Sequence, residues 1–228
     1  MVRERKFVSD RVGPAEVAAM LHAFCEPDGV YPVGILESIY YDDALLSSYY
    51  EKANGDGLKR KVRIRWYPES EPKNGRRRAF LEIKDRIGSA RDKVRYEFNA
   101  DAALLADASL DDPALVQLLR DTAAKAGFAL PEGLAPTVSI RYHRHRFVCP
   151  VTNSRISVDY NLSCPRANPM LFPAAAPLTT PLVVCEAKSD TVWSWPFGDD
   201  LARMGFHPES FSKYGYFVEQ QLQGGRFA

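Results

Sequence analysis

The feature that most limits what this chain can fold into is an alternation repeated along it. In Lys59–Tyr67, KRKVRIRWY, the cations Lys61, Arg63 and Arg65 alternate with Val62, Ile64 and Trp66. An extended strand would put the three cations on one face and the apolar groups on the other. The inversion recurs: Glu82 and Lys84 oppose Leu81 and Ile83, Lys93 and Arg95 oppose Val94 and Tyr96, Arg155, Ser157 and Asp159 oppose Ile156 and Val158, and Glu186 and Lys188 oppose Val183, Cys185 and Ala187. A solvated surface accounts for any one such strand. Five of them leave apolar faces that need a common cover, which amphipathic helices can provide. The charged faces then either meet water as one open sheet or meet one another inside a closed barrel, and the repetition favours the barrel. A lining rich in Arg and Lys repels itself unless a polyanion normally fills it, and arginine forks suit phosphate oxygens.

The 228 residues are enough for one large domain, residues 1–228, with a core that needs no covalent staples. Hydrophobic residues at 46% and charged residues at 26% are those of a globular protein, and no apolar run approaches the roughly 18–20 residues of a membrane span. The start, MVRERKFVSD, has no apolar signal-peptide core, so a cytoplasmic protein without a membrane segment is expected. Cys25, Cys149, Cys164 and Cys185 lack CxxC spacing and are expected as reduced, mostly buried thiols. His22, His143, His145 and His207 are not spaced as metal ligands. The net charge of +1 suggests no general affinity for nucleic acid or membrane. Its distribution is uneven: Lys59 to Arg95 holds 14 basic against 5 acidic residues.

The chain predicts a strand near Arg3–Val8, a helix over GPAEVAAMLHAF with Pro14 in its first turn, a strand in YPVGILESIYYDD and a short helix in ALLSSYYEKANGDG. Strands LKRKVRIRWY, AFLEIKDRI and RDKVRYEFN follow, with PESEPKNGRRR between the first two as a solvated loop that includes Arg76, Arg77 and Arg78. DAALLADASLDDPALVQLLRDTAAKAG reads as helices broken at Pro113. Strands PTVSIRYHRHRFVC, SRISVDYNL and LVVCEAKS come next, ANPMLFPAAAPLTTP is a proline-rich connector within the domain, and the C-terminal segment is helical in two pieces.

RERKF, SIYYDD, KVRIRWY, FLEIK, KVR, YHRHRF, RISVD, CEAK and SFSKYGY, in this order, resemble the VTC domain, the polyphosphate polymerase domain of the vacuolar transporter chaperone family among the triphosphate tunnel metalloenzymes. The resemblance implies an α+β fold: an antiparallel eight-stranded β-barrel, the triphosphate tunnel, with helices packed outside. It implies phosphate binding by Lys6, Arg63, Arg65, Lys84, Lys93, Arg95, Tyr142, Arg144, Arg155, Ser212 and Lys213, of which Arg63, Arg65, Arg144, Arg155 and Lys213 would serve catalysis. Glu186 corresponds to the metal-coordinating glutamate, for Mn²⁺ or Mg²⁺. Glu82, Asp159 and Lys188 face inward by alternation as supports, and Tyr40, Tyr41 and Asp42 would support the wall.

The implied activity is transfer of the ATP γ-phosphoryl group to polyphosphate. The phosphate-sensing and membrane parts of the eukaryotic complex do not accompany this sequence, which leaves coupling to translocation open. Hydrolysis of inorganic triphosphate or a nucleoside triphosphate is the nearest alternative. RERKF carries only Glu4 in phase with Lys6, where tunnel hydrolases have ExExK, which favours chain binding over water activation. A polyphosphate-binding module without turnover and a nucleic-acid binder on an open basic sheet complete the set.

Overall fold

The computed structural model describes residues 3–54, 58–88, 90–189 and 195–224. Along these residues come β1 (Arg3–Ser9), α1 (Pro14–His22), β2 (Glu26–Pro27), β3 (Val33–Asp42), α2 (Ser47–Ala53), β4 (Leu58–Trp66), β5 (Arg76–Ile87) and β6 (Ala90–Asp101). They continue with α3 (Ala102–Asp107), α4 (Pro113–Ala126), β7 (Ala135–Cys149), β8 (Ser154–Ala167), β9 (Leu178–Thr180), β10 (Val183–Ser189), α5 (Gly198–Arg203), β11 (His207–Pro208) and α6 (Lys213–Gly224).

The fold is α+β and mostly antiparallel, but the expected closed eight-stranded barrel is not formed. Eleven strands pair along the path β11-β1-β10-β8-β7-β3-β4-β5-β6, with β2 on β7 and β9 on β8, and among the described residues the two ends do not pair. Strands β2, β9 and β11 are only two or three residues long and are the additions to the expected set. The edges explain the open path. Strand β11 is His207–Pro208, and Pro208 has no N–H to give a further ladder. Strand β6 carries Lys93 and Arg95, charges that blunt an edge.

The chain divides into two compact units. One comprises Leu36–Arg141, Cys164–Leu178 and Lys213–Ala228. Its core is the apolar face foreseen for the alternating strands: Val62, Ile64 and Trp66 from β4 and Leu81 and Ile83 from β5 pack with Leu105 of α3 and Leu115 and Leu119 of α4. Helix α4 forms here because Leu115, Leu119, Thr122 and Ala123 recur at helical spacing on its buried side. The Asp112 carboxylate accepts from Ala114 N at 2.8 Å, Pro113 takes the first turn, and Gly127 at φ +70° ends the helix.

Arg76, Arg77 and Arg78 are a correction: they open β5 and pair with Asp101, Ala100 and Asn99 of β6. Arg77 donates to Tyr67 O at 3.0 Å, and Arg78 pairs with Glu97 at 2.6 Å. Their polar neighbours give loop composition, but the ladder extends through them.

The other unit comprises Met1–Ile35, Tyr142–Ser163 and Thr179–Ser212. Val17, Ala18 and Leu21 of α1 pack with Ile156 and Val158 of β8, Cys185 and Ala187 of β10, and Leu201 of α5. Pro14 begins α1, and Gly13 N donates to Glu16 Oε2 at 2.7 Å. Trp195 Nε1 donates to Ser154 Oγ at 2.9 Å, which satisfies a polar atom inside this core. All four cysteines are free thiols and buried. Among the described residues no helix is long and apolar enough to cross a membrane.

Candidate functional site

Strands β4, β5 and β6 align their charged faces in register. Lys61 lies opposite Lys84 and Lys84 opposite Lys93; Arg63 opposite Glu82 and Glu82 opposite Arg95; Arg65 opposite Phe80 and Phe80 opposite Glu97. Directly opposed residues share a face, so Lys61, Arg63, Arg65, Lys84, Lys93 and Arg95 gather with the carboxylates Glu82 and Glu97, and Arg78, two residues before Phe80, joins them in its pair with Glu97.

Glu82 is the hub of this face. Its Oε2 accepts from Arg63 Nε at 2.8 Å and Nη2 at 2.6 Å, and its Oε1 from Lys93 Nζ at 2.9 Å. Arg65 Nη1 and Arg95 Nε each stand 3.7 Å away. Burial alone would raise the Glu82 carboxyl, but Arg63, Arg65 and Lys93 outweigh it and hold it well below the usual carboxylate range. The guanidinium of Arg95 lies 3.6 Å from the Phe80 ring centroid, a stack that keeps it flat against the sheet. Arg63 Nη1 also donates to Tyr40 Oη at 2.7 Å, so the wall tyrosine takes part in orienting a predicted phosphate ligand.

Lys213 is the first residue of α6, and Ser212 is buried just before it. Next to Lys213, the Tyr214 hydroxyl donates to Asp42 Oδ2 at 2.5 Å. Asp42 also accepts from Ser48 N at 2.9 Å and Tyr49 N at 3.1 Å, so one buried carboxylate joins the end of β3, the start of α2 and the first turn of α6. Tyr214 stacks on Tyr40 with centroids 5.3 Å apart, and Lys61 Nζ stands 5.9 Å from the Tyr214 ring. Sequence reasoning assigned Asp42 only a supporting role and did not single out Tyr214. Their hydroxyl–carboxylate bond spans 172 positions, which no local pattern announces.

The second charged face belongs to the other unit. Glu4 lies opposite Lys188 and Lys6 opposite Glu186 across β1 and β10; across β10 and β8, Lys188 lies opposite Arg155 and Glu186 opposite Ser157. Lys188 Nζ reaches Glu186 at 2.5 Å and Glu4 at 4.0 Å, while Lys6 Nζ is 3.5 Å from Glu4 and 3.9 Å from Glu186. Lys6 also donates to Phe211 O at 2.9 Å. Burial would raise the Glu186 carboxyl, but Lys188, Lys6 and Arg144 pull it far below its ordinary value. Arg144 Nε and Nη2 donate to the two oxygens of buried Asp159 at 2.5 and 2.7 Å, and its guanidinium lies 5.3 Å from the ring of buried Tyr142.

The alternation thus groups Arg63, Arg65, Lys84, Lys93 and Arg95 on one face, and Lys6, Arg155 and Glu186 on another, to which Arg144 adds its field on Glu186.

Glu186 and Glu4 are hard oxygen donors on one face beside Lys6 and Lys188, and this suits a hard divalent cation. Such ions are commonly held by one or two carboxylates with water and substrate phosphate completing the shell. Among the described residues no group of three or more His, Cys, Asp or Glu could hold a metal unaided, so substrate oxygens would have to contribute.

Among solved structures the chain is similar to a proposed adenylate cyclase from Bacillus halodurans, with a TM-score of 0.50 and 12% identity over 92% of each chain. A proposed adenylate cyclase from Vibrio parahaemolyticus gives a TM-score of 0.41 at 11% identity, covering 99% of this chain and 88% of that one. Comparison with curated proteins finds no match. The VTC domain matches residues 33–220, a span that contains both ladders except for β1. The chain belongs to the VTC domain family.

Proposed function

We propose that the chain is a phosphotransferase of the polyphosphate-polymerase type. It moves the γ-phosphoryl group of ATP onto the terminal phosphate of a polyphosphate chain and releases ADP. The observation that carries this reading is the β4–β6 face, where among the described residues cations outnumber the carboxylates Glu82 and Glu97 and an array of phosphates would restore balance. Family membership and the likeness to the Bacillus halodurans structure support a triphosphate tunnel-type fold.

A terminal oxygen of the acceptor chain attacks the γ-phosphorus, and the bond from that phosphorus to the β–γ bridging oxygen breaks, so ADP leaves with the bridging oxygen. The reaction needs no protein nucleophile; it needs alignment and neutralisation of charge. Arg63 and Arg65 clamp phosphate oxygens, with Lys84, Lys93 and Arg95 as further cations on their face. Lys6, Arg144 and Arg155 serve in the same way on theirs, with Tyr142 backing Arg144. Ser212 and Lys213 are assigned to phosphate at the start of α6. Glu186, with Glu4, would hold Mn²⁺ or Mg²⁺, which when bound would neutralise phosphate charge.

The test is incubation of the protein with ATP and Mn²⁺. Polyphosphate with stoichiometric ADP supports the proposal. Orthophosphate with ADP makes the chain a hydrolase. No turnover with retained tripolyphosphate affinity makes it a binding module, and duplex DNA displacing tripolyphosphate would favour a nucleic-acid surface.

A further inference from the structure

We propose that Cys25 and Cys149 form an oxidisable dithiol site, which peroxide converts to an intramolecular disulfide. The ladder places them. Glu26 pairs with Val148 and Pro27 with Phe147, so the next residues in register are Cys25 and Cys149. Pro27 has no N–H, so Pro27–Phe147 is a non-bonded pair, flanked by the bond from Asp28 N to Arg146 O at 2.9 Å. Bonded and non-bonded pairs alternate along an antiparallel ladder, so Cys25 and Cys149 fall at a non-bonded position. There opposed Cα atoms lie about 4.5 Å apart, within the range of about 4.4–6.8 Å that disulfides require. Both side chains enter the same buried core, close enough that each thiol shifts the titration of the other.

The two sulfurs are not equivalent. Cys149 ends β7 and is followed by a turn that brings the Thr152 and Val151 N–H donors near its sulfur, while the Thr152 hydroxyl donates to Ser154 Oγ at 2.8 Å. Burial works to raise the Cys149 thiol, but these donors and the Cys25 thiol outweigh it and bring it below the ordinary cysteine value. Burial, with Cys149 adding to it, pushes Cys25 up to about 12. Burial likewise pushes Cys164 up to about 12, and Cys185 higher still. Cys149 is therefore the attacking group, and the other two thiols are built-in controls.

In the first step the Cys149 thiolate attacks one oxygen of hydrogen peroxide. The O–O bond breaks, hydroxide leaves and takes up a proton to become water, and Cys149 is left as a sulfenic acid. Cys25 Sγ then attacks Cys149 Sγ, and the hydroxyl departs with the Cys25 proton as a second water. The two sulfurs lose two electrons and one peroxide is reduced to two waters. Peroxide is small enough to reach a thiol beneath a short turn, where a bulky disulfide reagent is excluded.

The experiment treats the full chain with hydrogen peroxide, quenches with catalase, alkylates under denaturing conditions and maps unreduced peptides by mass spectrometry. Alkylatable thiols are expected to fall from four to two, with one cross-link joining Cys25 to Cys149 that dithiothreitol reverses. In Cys25→Ala, dimedone should label Cys149 and no cross-link should form. The proposal is overturned if all four wild-type thiols stay alkylatable, or if Cys164 or Cys185 is oxidised in preference.

Discussion

Glu82 and Arg63 lie directly opposite each other on β5 and β4, and a single oxygen of Glu82 receives both Nε and Nη2 of Arg63 at 2.8 and 2.6 Å. The other oxygen receives Lys93, so one carboxylate holds together cations that would otherwise repel. This relationship sets the pH response. The folded Glu82 carboxyl lies below its unfolded value of about 4.3, so the unfolded state binds more protons as the pH drops. The stability it contributes is fully present above the unfolded value and is lost as pH falls through the folded one. Urea denaturation from pH 7 down to pH 3 should show a steeper loss of stability for wild type than for Glu82→Gln. Equal slopes would mean that Glu82 is not held ionised by its neighbours.

Adjacent residues on β5 should separate stability from binding. Ile83 is 5% exposed in the core against the helices, whereas Lys84 is exposed on the cationic face. Ile83→Ala should cost about 2–5 kcal/mol while leaving tripolyphosphate affinity per folded molecule unchanged. Lys84→Ala should alter stability by no more than about 0.5 kcal/mol and weaken tripolyphosphate about tenfold or more, the worth of one charge-assisted hydrogen bond. Chemical denaturation and calorimetric titration of both variants check this, and a loss of binding in Ile83→Ala alone would reverse the assignment of faces.

That contrast was legible in the sequence because side-chain direction in a strand has period two, so Val62, Ile64, Leu81 and Ile83 declare their face without tertiary information. The longer strands were legible for the same reason and the helices α1 and α4 by their 3.6-residue period, with Pro14 and Pro113 marking where they begin. Closure was not legible. Alternation describes the two faces of a strand and says nothing about what its edges pair with, so the two-residue strand ending in Pro208 could not be foreseen. Composition misplaced Arg76–Arg78, because a strand end that is largely exposed looks like a loop. The site partners that were missed or undervalued, Tyr40 on Arg63 and Tyr214 on Asp42, depend on register and on contacts between distant segments.

The Tyr214–Asp42 bond should govern how firmly the start of α6 is held. Tyr214→Phe removes one hydroxyl, and Asp42 keeps Ser48 N and Tyr49 N as donors, so the loss should be that of a single hydrogen bond to a charged group, about 1.5–3 kcal/mol. Hydrogen exchange should show faster exchange in α6 amides than in wild type while α4 amides keep their relative protection. Unchanged α6 protection would show that ring stacking on Tyr40, and not the hydroxyl, anchors the helix.

Glu186 provides the sharpest test of the proposed chemistry, because the residue is 7% exposed and its carboxylate sits between Lys188 at 2.5 Å and Lys6 at 3.9 Å. Glu186→Gln keeps the size of the side chain and removes the charge that a hard divalent cation needs. It also releases two lysines from a carboxylate, which leaves them available to phosphate. Tripolyphosphate binding measured in EDTA should therefore be retained or tightened, whereas ATP turnover with Mn²⁺ should fall by about 100-fold or more, as when charge stabilisation in a transition state is withdrawn. Loss of tripolyphosphate binding in EDTA would assign Glu186 to organising Lys6 and Lys188. Unchanged turnover would remove it from the metal site altogether.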